Sequence, residues 1–86
     1  MPEISRFFGI VIAIFYADHN PPHFHARYGD SKAVIKIDDL TILEGFLPPR
    51  VLGLVTEWAS IHKKELLDDW ELARNKKPLI SIKPLE

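Results

Sequence analysis

The residues best suited to chemistry in this 86-residue chain stand in one stretch, DHNPPHFHARYG, at residues 18–29. It contains three of the four histidines, and His23, His25 and Arg27 follow one another at intervals of two. On a β-strand this spacing places the three side chains on one face. Pro21 and Pro22 restrict the backbone before them, so the chain enters such a strand in a fixed direction.

A metal site is the first hypothesis for this stretch. Two histidines separated by one residue on a strand can bind a divalent metal when a third ligand comes from elsewhere. The site would consist of His19, His23 and His25, and the other candidates for the third ligand are Asp18 and His62. No cofactor is otherwise predicted.

The second hypothesis needs no metal. Histidine moves protons near neutral pH, and Arg27 on the same face can stabilise a phosphate or an oxyanion. With Tyr28 or Asp18 at the edge, this group would suit cleavage of RNA by acid and base catalysis. The candidate catalytic residues are therefore His23, His25, Arg27 and Tyr28.

Two further interpretations involve no catalysis. The imidazoles can hydrogen-bond to backbone groups of the proline turn, as half-buried histidines commonly do. Alternatively, His23, His25 and Arg27 can form a surface that contacts a partner protein.

Composition limits the classes of function. The chain has 47% hydrophobic and 27% charged residues, which is typical of a globular protein, and its length predicts a single domain over residues 1–86. The net charge of -1 argues against a general nucleic-acid surface, although contact with RNA stays an alternative. The absence of cysteine excludes disulfides and thiolate sites, and fits a cytoplasmic location. The apolar run near the N-terminus is too short to span a membrane.

Periodicity predicts an α+β fold. Residues 7–16 read as a strand buried on both faces, with either a bulge or a close backbone approach at Gly9. Residues 23–28 form a second strand, with Phe24, Ala26 and Tyr28 facing the core and the polar side chains facing outward. Further strands are expected over residues 33–38 and 40–46, which completes an antiparallel meander of three to four strands.

The second half of the chain changes to helical spacing. One or two helices between Pro48 and Asn75 would pack on one face of the sheet, with a break predicted near residues 62–64. Residues 78–86 are expected to form a short final strand, with Ile80 and Ile82 on one face. Because the first strand is apolar on both faces, we expect either a homodimer or a small partner protein on the uncovered face, unless the tail covers it.

The chain resembles the domain-of-unknown-function family 4160, a group of small bacterial proteins. The resemblance rests on HNPPHFHARYG, EGFLPPR, ELLDDWELA and ISIKPL, together with Trp58 and His62. It implies a signature made of His19, Pro21, Pro22, His23, Phe24, His25 and Gly29. It implies no activity, but it suggests a protein that works with a small partner in a module of the toxin and antitoxin type. A ribonuclease or a metal-dependent hydrolase is the alternative.

Overall fold

The apolar N-terminal segment forms two strands and not one. In the computed structural model, which describes residues 2–16 and 18–86, β1 covers Glu3–Phe7 and β2 covers Ile10–Ala13. Phe8 and Gly9 form the turn between them, both with positive φ angles, of 50° and 79°. Two such residues in sequence are what a tight hairpin of matching twist requires. The prediction of one strand over 7–16 with a bulge at Gly9 is therefore wrong, whereas the burial of β2 on both faces is confirmed.

The sheet is an antiparallel meander of five strands in the order β1-β2-β3-β4-β5. The remaining strands are β3 at His23–Tyr28, β4 at Ser31–Lys36 and β5 at Ile42–Phe46. The meander is confirmed, and the additional strand is the one created by the hairpin at Gly9.

Two helices follow, as the predicted break requires. α1 covers Pro49–Ile61 and α2 covers Lys63–Arg74, with His62 between them. Pro49 fits the first position of α1 because that position needs no hydrogen-bond donor. Both helices bury one side against the same face of the sheet, in a core that includes Trp58 and Trp70. The predicted α+β class with two C-terminal helices is confirmed.

The predicted final strand is wrong. Residues 77–86 form no regular element, and a single backbone bond, from the amide of Ile82 to the carbonyl of Ile4 (2.8 Å), joins them to β1. Ile80 is exposed whereas Ile82 is buried, so the two do not share a face. Pro78 and Pro84 lack the amide donors that a longer ladder would need.

The tail packs beside the helices and leaves the other side of the sheet, here called the open face, free of tail residues. The indole of Trp58 donates to the carbonyl of Lys83 (2.9 Å), and the amide of Ile80 donates to Asp69 (2.8 Å). Cross-strand pairing defines the open face by the following residues: Val11, Ala13, His25, Arg27, Lys32 and Val34. Over the two ranges described, neither helix is long and apolar enough to cross a membrane.

Candidate metal centre

The side chains of Asp18, His23 and His25 converge at the start of β3. Each offers one ligand atom, and the three atoms lie within 4.8 Å of one another. Oδ2 of Asp18 lies 3.1 Å from Nε2 of His23 and 2.9 Å from Nε2 of His25. The turn that contains Asn20 and Pro21, joined by a cis peptide bond, carries Asp18 back onto the strand.

The backbone fixes the tautomer of His23. Its Nδ1 lies 2.8 Å from the carbonyl oxygen of Pro21, which only accepts hydrogen bonds, so Nδ1 carries the proton. In the neutral ring, Nε2 then carries a lone pair, and this lone pair faces the carboxylate oxygen Oδ2 of Asp18. Either a second proton or a metal ion on Nε2 makes this contact favourable. A ligating histidine whose other nitrogen donates to a carbonyl is the usual arrangement at protein metal sites.

The two separations from Asp18 to the histidine nitrogens match those of neighbouring ligands around a transition metal. With bonds of about 2.0–2.1 Å, neighbouring ligands are roughly 2.9 Å apart in octahedral geometry and roughly 3.3 Å apart in tetrahedral geometry. The distances of 2.9 Å and 3.1 Å from Asp18 to the two histidines lie in this range. Two imidazoles and one carboxylate favour zinc, iron or a similar divalent ion over calcium or magnesium.

Aromatic packing holds the two imidazoles. The ring of His23 packs against Trp70 of α2, with a centroid distance of 5.1 Å, and the ring of His25 packs edge-on against Phe15 at 4.3 Å. His23 is buried, whereas the side chain of His25 stays 29% exposed and that of Asp18 24% exposed. The centre is thus enclosed on the side of the helices and open on the other side, where further ligands would enter.

The outward face predicted for β3 is only partly correct. Phe24 and Ala26 are in the core, and Arg27 is exposed, as alternation predicts. His23 is buried because α2 covers the end of the sheet from which β3 starts. Tyr28, predicted for the core, is 40% exposed at the other end of the strand, where its ring lies against Gly9.

The structure separates the remaining predicted site residues from this centre. His19 is exposed, and among the described residues it is not one of the converging ligands. His62 contacts Glu65 (Nδ1 to Oε1, 2.6 Å) and packs against Trp58. Tyr28 lines a different groove, on the helix side of the sheet.

The residues of the family signature therefore have two kinds of role, since some converge at the candidate centre and others shape the fold. His23 and His25 belong to the centre, and Phe24 belongs to the core. Gly29 has a φ of 57° in the turn between β3 and β4. The residue that spacing did not single out is Asp18, since nothing in the pattern shows how the turn brings it back to the strand.

One known protein family matches most of the chain. A family model described as a domain of unknown function (DUF4160) matches residues 9–71, which is 63 of the 86 residues. The chain belongs to this family. The DUF4160 segment contains the three converging side chains and nearly all of both helices, whereas β1 and the tail lie outside it. No curated protein and no solved structure matches the chain.

Proposed function

We propose that this DUF4160 protein binds a divalent transition metal through Asp18, His23 and His25 and uses it for hydrolysis. One observation carries the proposal: both Nε2 atoms point at the same carboxylate oxygen while the carbonyl of Pro21 holds His23 in the tautomer that a metal requires. Three protein ligands leave at least one position for water, which is the pattern of catalytic and not of structural sites.

The residues around the metal suit hydrolysis of an ester. Held by Asp18, His23 and His25, a divalent metal would supply Lewis-acid chemistry, and would so activate a water molecule for attack on the phosphorus or carbon of an ester. The bond between that atom and the leaving oxygen would break, and the leaving group would take up the proton that the water gives up. Arg27 follows His25 by two positions on the same face, where its guanidinium would stabilise the charge on the substrate.

The test starts with protein that carries no histidine tag. We expect elemental analysis to find close to one zinc, iron, manganese or nickel ion per chain, and His25→Ala to lose it. His62→Ala is the matched control, because it removes a histidine outside the centre, and it should keep the metal. Absence of metal from the wild type, together with no uptake on addition of these ions, would overturn the proposal.

Catalysis is tested separately from binding. The metal-loaded protein should hydrolyse bis(4-nitrophenyl) phosphate, and His25→Ala should not. If the wild type holds the metal but its rate equals that of His25→Ala, the centre is structural and the hydrolase part of the proposal is wrong.

A second candidate function is partner binding, in a bacterial module of the toxin and antitoxin type. Its support is β5, which is exposed along its whole length and forms the outer edge of the sheet. Ile42, Leu43 and Phe46 on this strand are large, apolar and exposed. Such an edge can accept an extended segment of a partner through backbone hydrogen bonds. A second copy of the chain would pair in the same way and give a homodimer.

Co-expression with the product of the neighbouring gene tests this second candidate. We expect co-purification and an effect on growth, both weakened by Phe46→Lys. Light scattering that finds a monomer at every concentration, with no co-purification, would contradict it. We also infer a cytoplasmic location, supported by a sequence without cysteine.

A further inference from the structure

The open face carries a pair of cations that lack an ion-pair partner among the residues the structure describes. Arg27 and Lys32 are directly opposite each other on β3 and β4. Both are exposed, and over residues 2–16 and 18–86 neither forms an ion pair within 4 Å. Like charges directly opposite on a sheet are destabilising, so this arrangement becomes favourable when an anion lies between them.

The nearby carboxylates do not occupy this position. Glu3 senses Arg27, but its pKa is lowered mainly by the hydrogen bond from Arg6, with which it forms a two-pronged ion pair at 2.8 and 3.1 Å. Glu44 borders a neighbouring groove that Lys32 and His25 also line. Over residues 2–16 and 18–86, therefore, no carboxylate lies within ion-pair distance of Arg27 or Lys32.

An apolar groove adjoins the two cations. Its volume is about 370 Å³, and its walls include Val11, Ala13 and Phe15 beside His25, Arg27 and Lys32. Val11 and Ala13 form a buried apolar floor, and the ring of Phe15 stands at one side. Such a volume accommodates one small organic ligand, since ligand sites in proteins usually begin at about 300 Å³.

Strand geometry relates this groove to the metal centre. His25 and Arg27 are two residues apart on one face, which corresponds to roughly 7 Å along the strand at about 3.4 Å per residue. A ligand held by Arg27 and Lys32 would thus extend along the groove toward the metal. His25 belongs to both the centre and the groove.

We infer that the groove binds a phosphate ester of mononucleotide size, with its phosphate between Arg27 and Lys32 and its base on the apolar floor. This inference goes beyond the proposed hydrolase, because it assigns a ligand to the groove whether or not the centre holds a metal. A long RNA is disfavoured because the chain has a net charge of -1, and two cations do not make a track for many phosphates.

The test measures binding of adenosine 5′-monophosphate by NMR titration of protein stripped of metal. We expect saturable shifts at residues of the groove, and a dissociation constant about tenfold higher in Arg27→Gln and in Lys32→Gln, because each removes a charge-assisted hydrogen bond. Lys32→Arg, which keeps the positive charge, should bind with the affinity of the wild type. Arg50→Gln is the matched control, since Arg50 lines the groove on the helix side of the sheet and should leave the affinity within twofold.

Three results would overturn the inference. One is the absence of binding at millimolar nucleotide, and another is equal affinity for inorganic phosphate, which would remove the role of the apolar floor. The third is affinity for RNA that increases with its length. Asp18→Asn separates the two proposals: it should lose the metal and still bind the nucleotide, so failure of one proposal is distinguishable from failure of the other.

Discussion

Nε2 of His25 lies 2.9 Å from Oδ2 of Asp18, although seven positions of the chain separate the two residues. The same oxygen lies 3.1 Å from Nε2 of His23. A single carboxylate thus closes the turn before β3 onto two histidines of that strand. The position of this oxygen makes the histidine pair a candidate metal centre.

His23 and His25 should differ in their effect on stability. His23→Ala removes a buried ring that packs on Trp70 and bonds to Pro21, so we expect it to lower the free energy of unfolding by about 1–3 kcal/mol. Urea denaturation measures this change. His19→Ala, at an exposed position, should stay within about 0.5 kcal/mol of the wild type.

This difference affects how mutants of the pair are interpreted. Loss of stability in a double His23 and His25 variant would not argue against a functional site, because His23 also packs in the core. His25→Ala alone is the informative variant, as its side chain is partly exposed. If His23→Ala unfolds no more easily than His19→Ala, the contact between His23 and Trp70 does not stabilise the fold.

Asp69 should make stability depend on pH. Burial raises the pKa of its carboxyl group, which the hydrogen bond from the amide of Ile80 partly offsets and the charges of Asp68 and Glu65 reinforce. Because the folded pKa lies above its usual value of 3.8, the fold binds this proton more tightly than the unfolded chain does. Its contribution to stability is therefore complete below pH 3.8 and is lost as the pH rises through the raised pKa.

Asp69→Asn tests this directly. The amide keeps an oxygen that accepts from Ile80 and carries no charge, so we expect the variant to be more stable than the wild type at pH 7. The advantage should shrink as the pH falls toward 4, in thermal denaturation curves measured across that range. Asp30→Asn, at an exposed position in the turn between β3 and β4, is the control and should show little of this effect. A pH-independent difference would contradict the assignment.

The two tryptophans allow a test of how the tail is anchored. The indole N–H of Trp58 donates to the carbonyl of Lys83, whereas the buried indole N–H of Trp70 has no hydrogen-bond partner among residues 2–16 and 18–86. Trp58→Phe and Trp70→Phe both shrink a core aromatic, but only the first removes a hydrogen bond. We expect Trp58→Phe to be the more destabilising by about 1 kcal/mol and to speed hydrogen exchange at the amide of Ile82. Equal exchange in both variants would contradict this anchor.

Lys32→Glu should raise the stability of the fold and abolish nucleotide binding. It converts a like-charged cross-strand pair with Arg27 into an opposite-charged one, which should stabilise the sheet by roughly 0.2–1 kcal/mol. The same change should abolish nucleotide binding. Chemical denaturation at low salt measures the first effect, and Lys36→Glu on the same strand is the control. A less stable Lys32→Glu protein would mean that the two cations do not interact as described.

Local pattern was sufficient to predict much of this fold. Alternation places Phe24 and Ala26 in the core, and the change to helical spacing after Pro48 predicts both helices and the break near His62. Pattern failed at Gly9, where a continuous apolar run hid a hairpin whose turn residues were Phe and Gly. Pattern also failed in the tail. The alternation of Ile80 and Ile82 predicts a strand, but it does not show that the tail packs beside the helices.

The candidate site was predictable only in part. The spacing of His23 and His25 gave two ligands, because two residues along a strand return to the same face. The third ligand depends on the path of the turn that joins β2 to β3. The spacing of residues does not encode that path. The sequence analysis placed His19 in the site and Asp18 only among the alternatives for the third ligand, and among the described residues the fold brings Asp18 and not His19 to the centre.

Calorimetric titration with zinc tests the central claim most directly, because it can distinguish these two neighbours. The wild type and His19→Ala should each bind one zinc ion per chain with affinities within twofold of one another. Asp18→Asn should bind at least about tenfold more weakly, since it replaces a charged ligand at the centre. Zinc affinity that survives in Asp18→Asn, or that falls in His19→Ala instead, would contradict the metal centre described here.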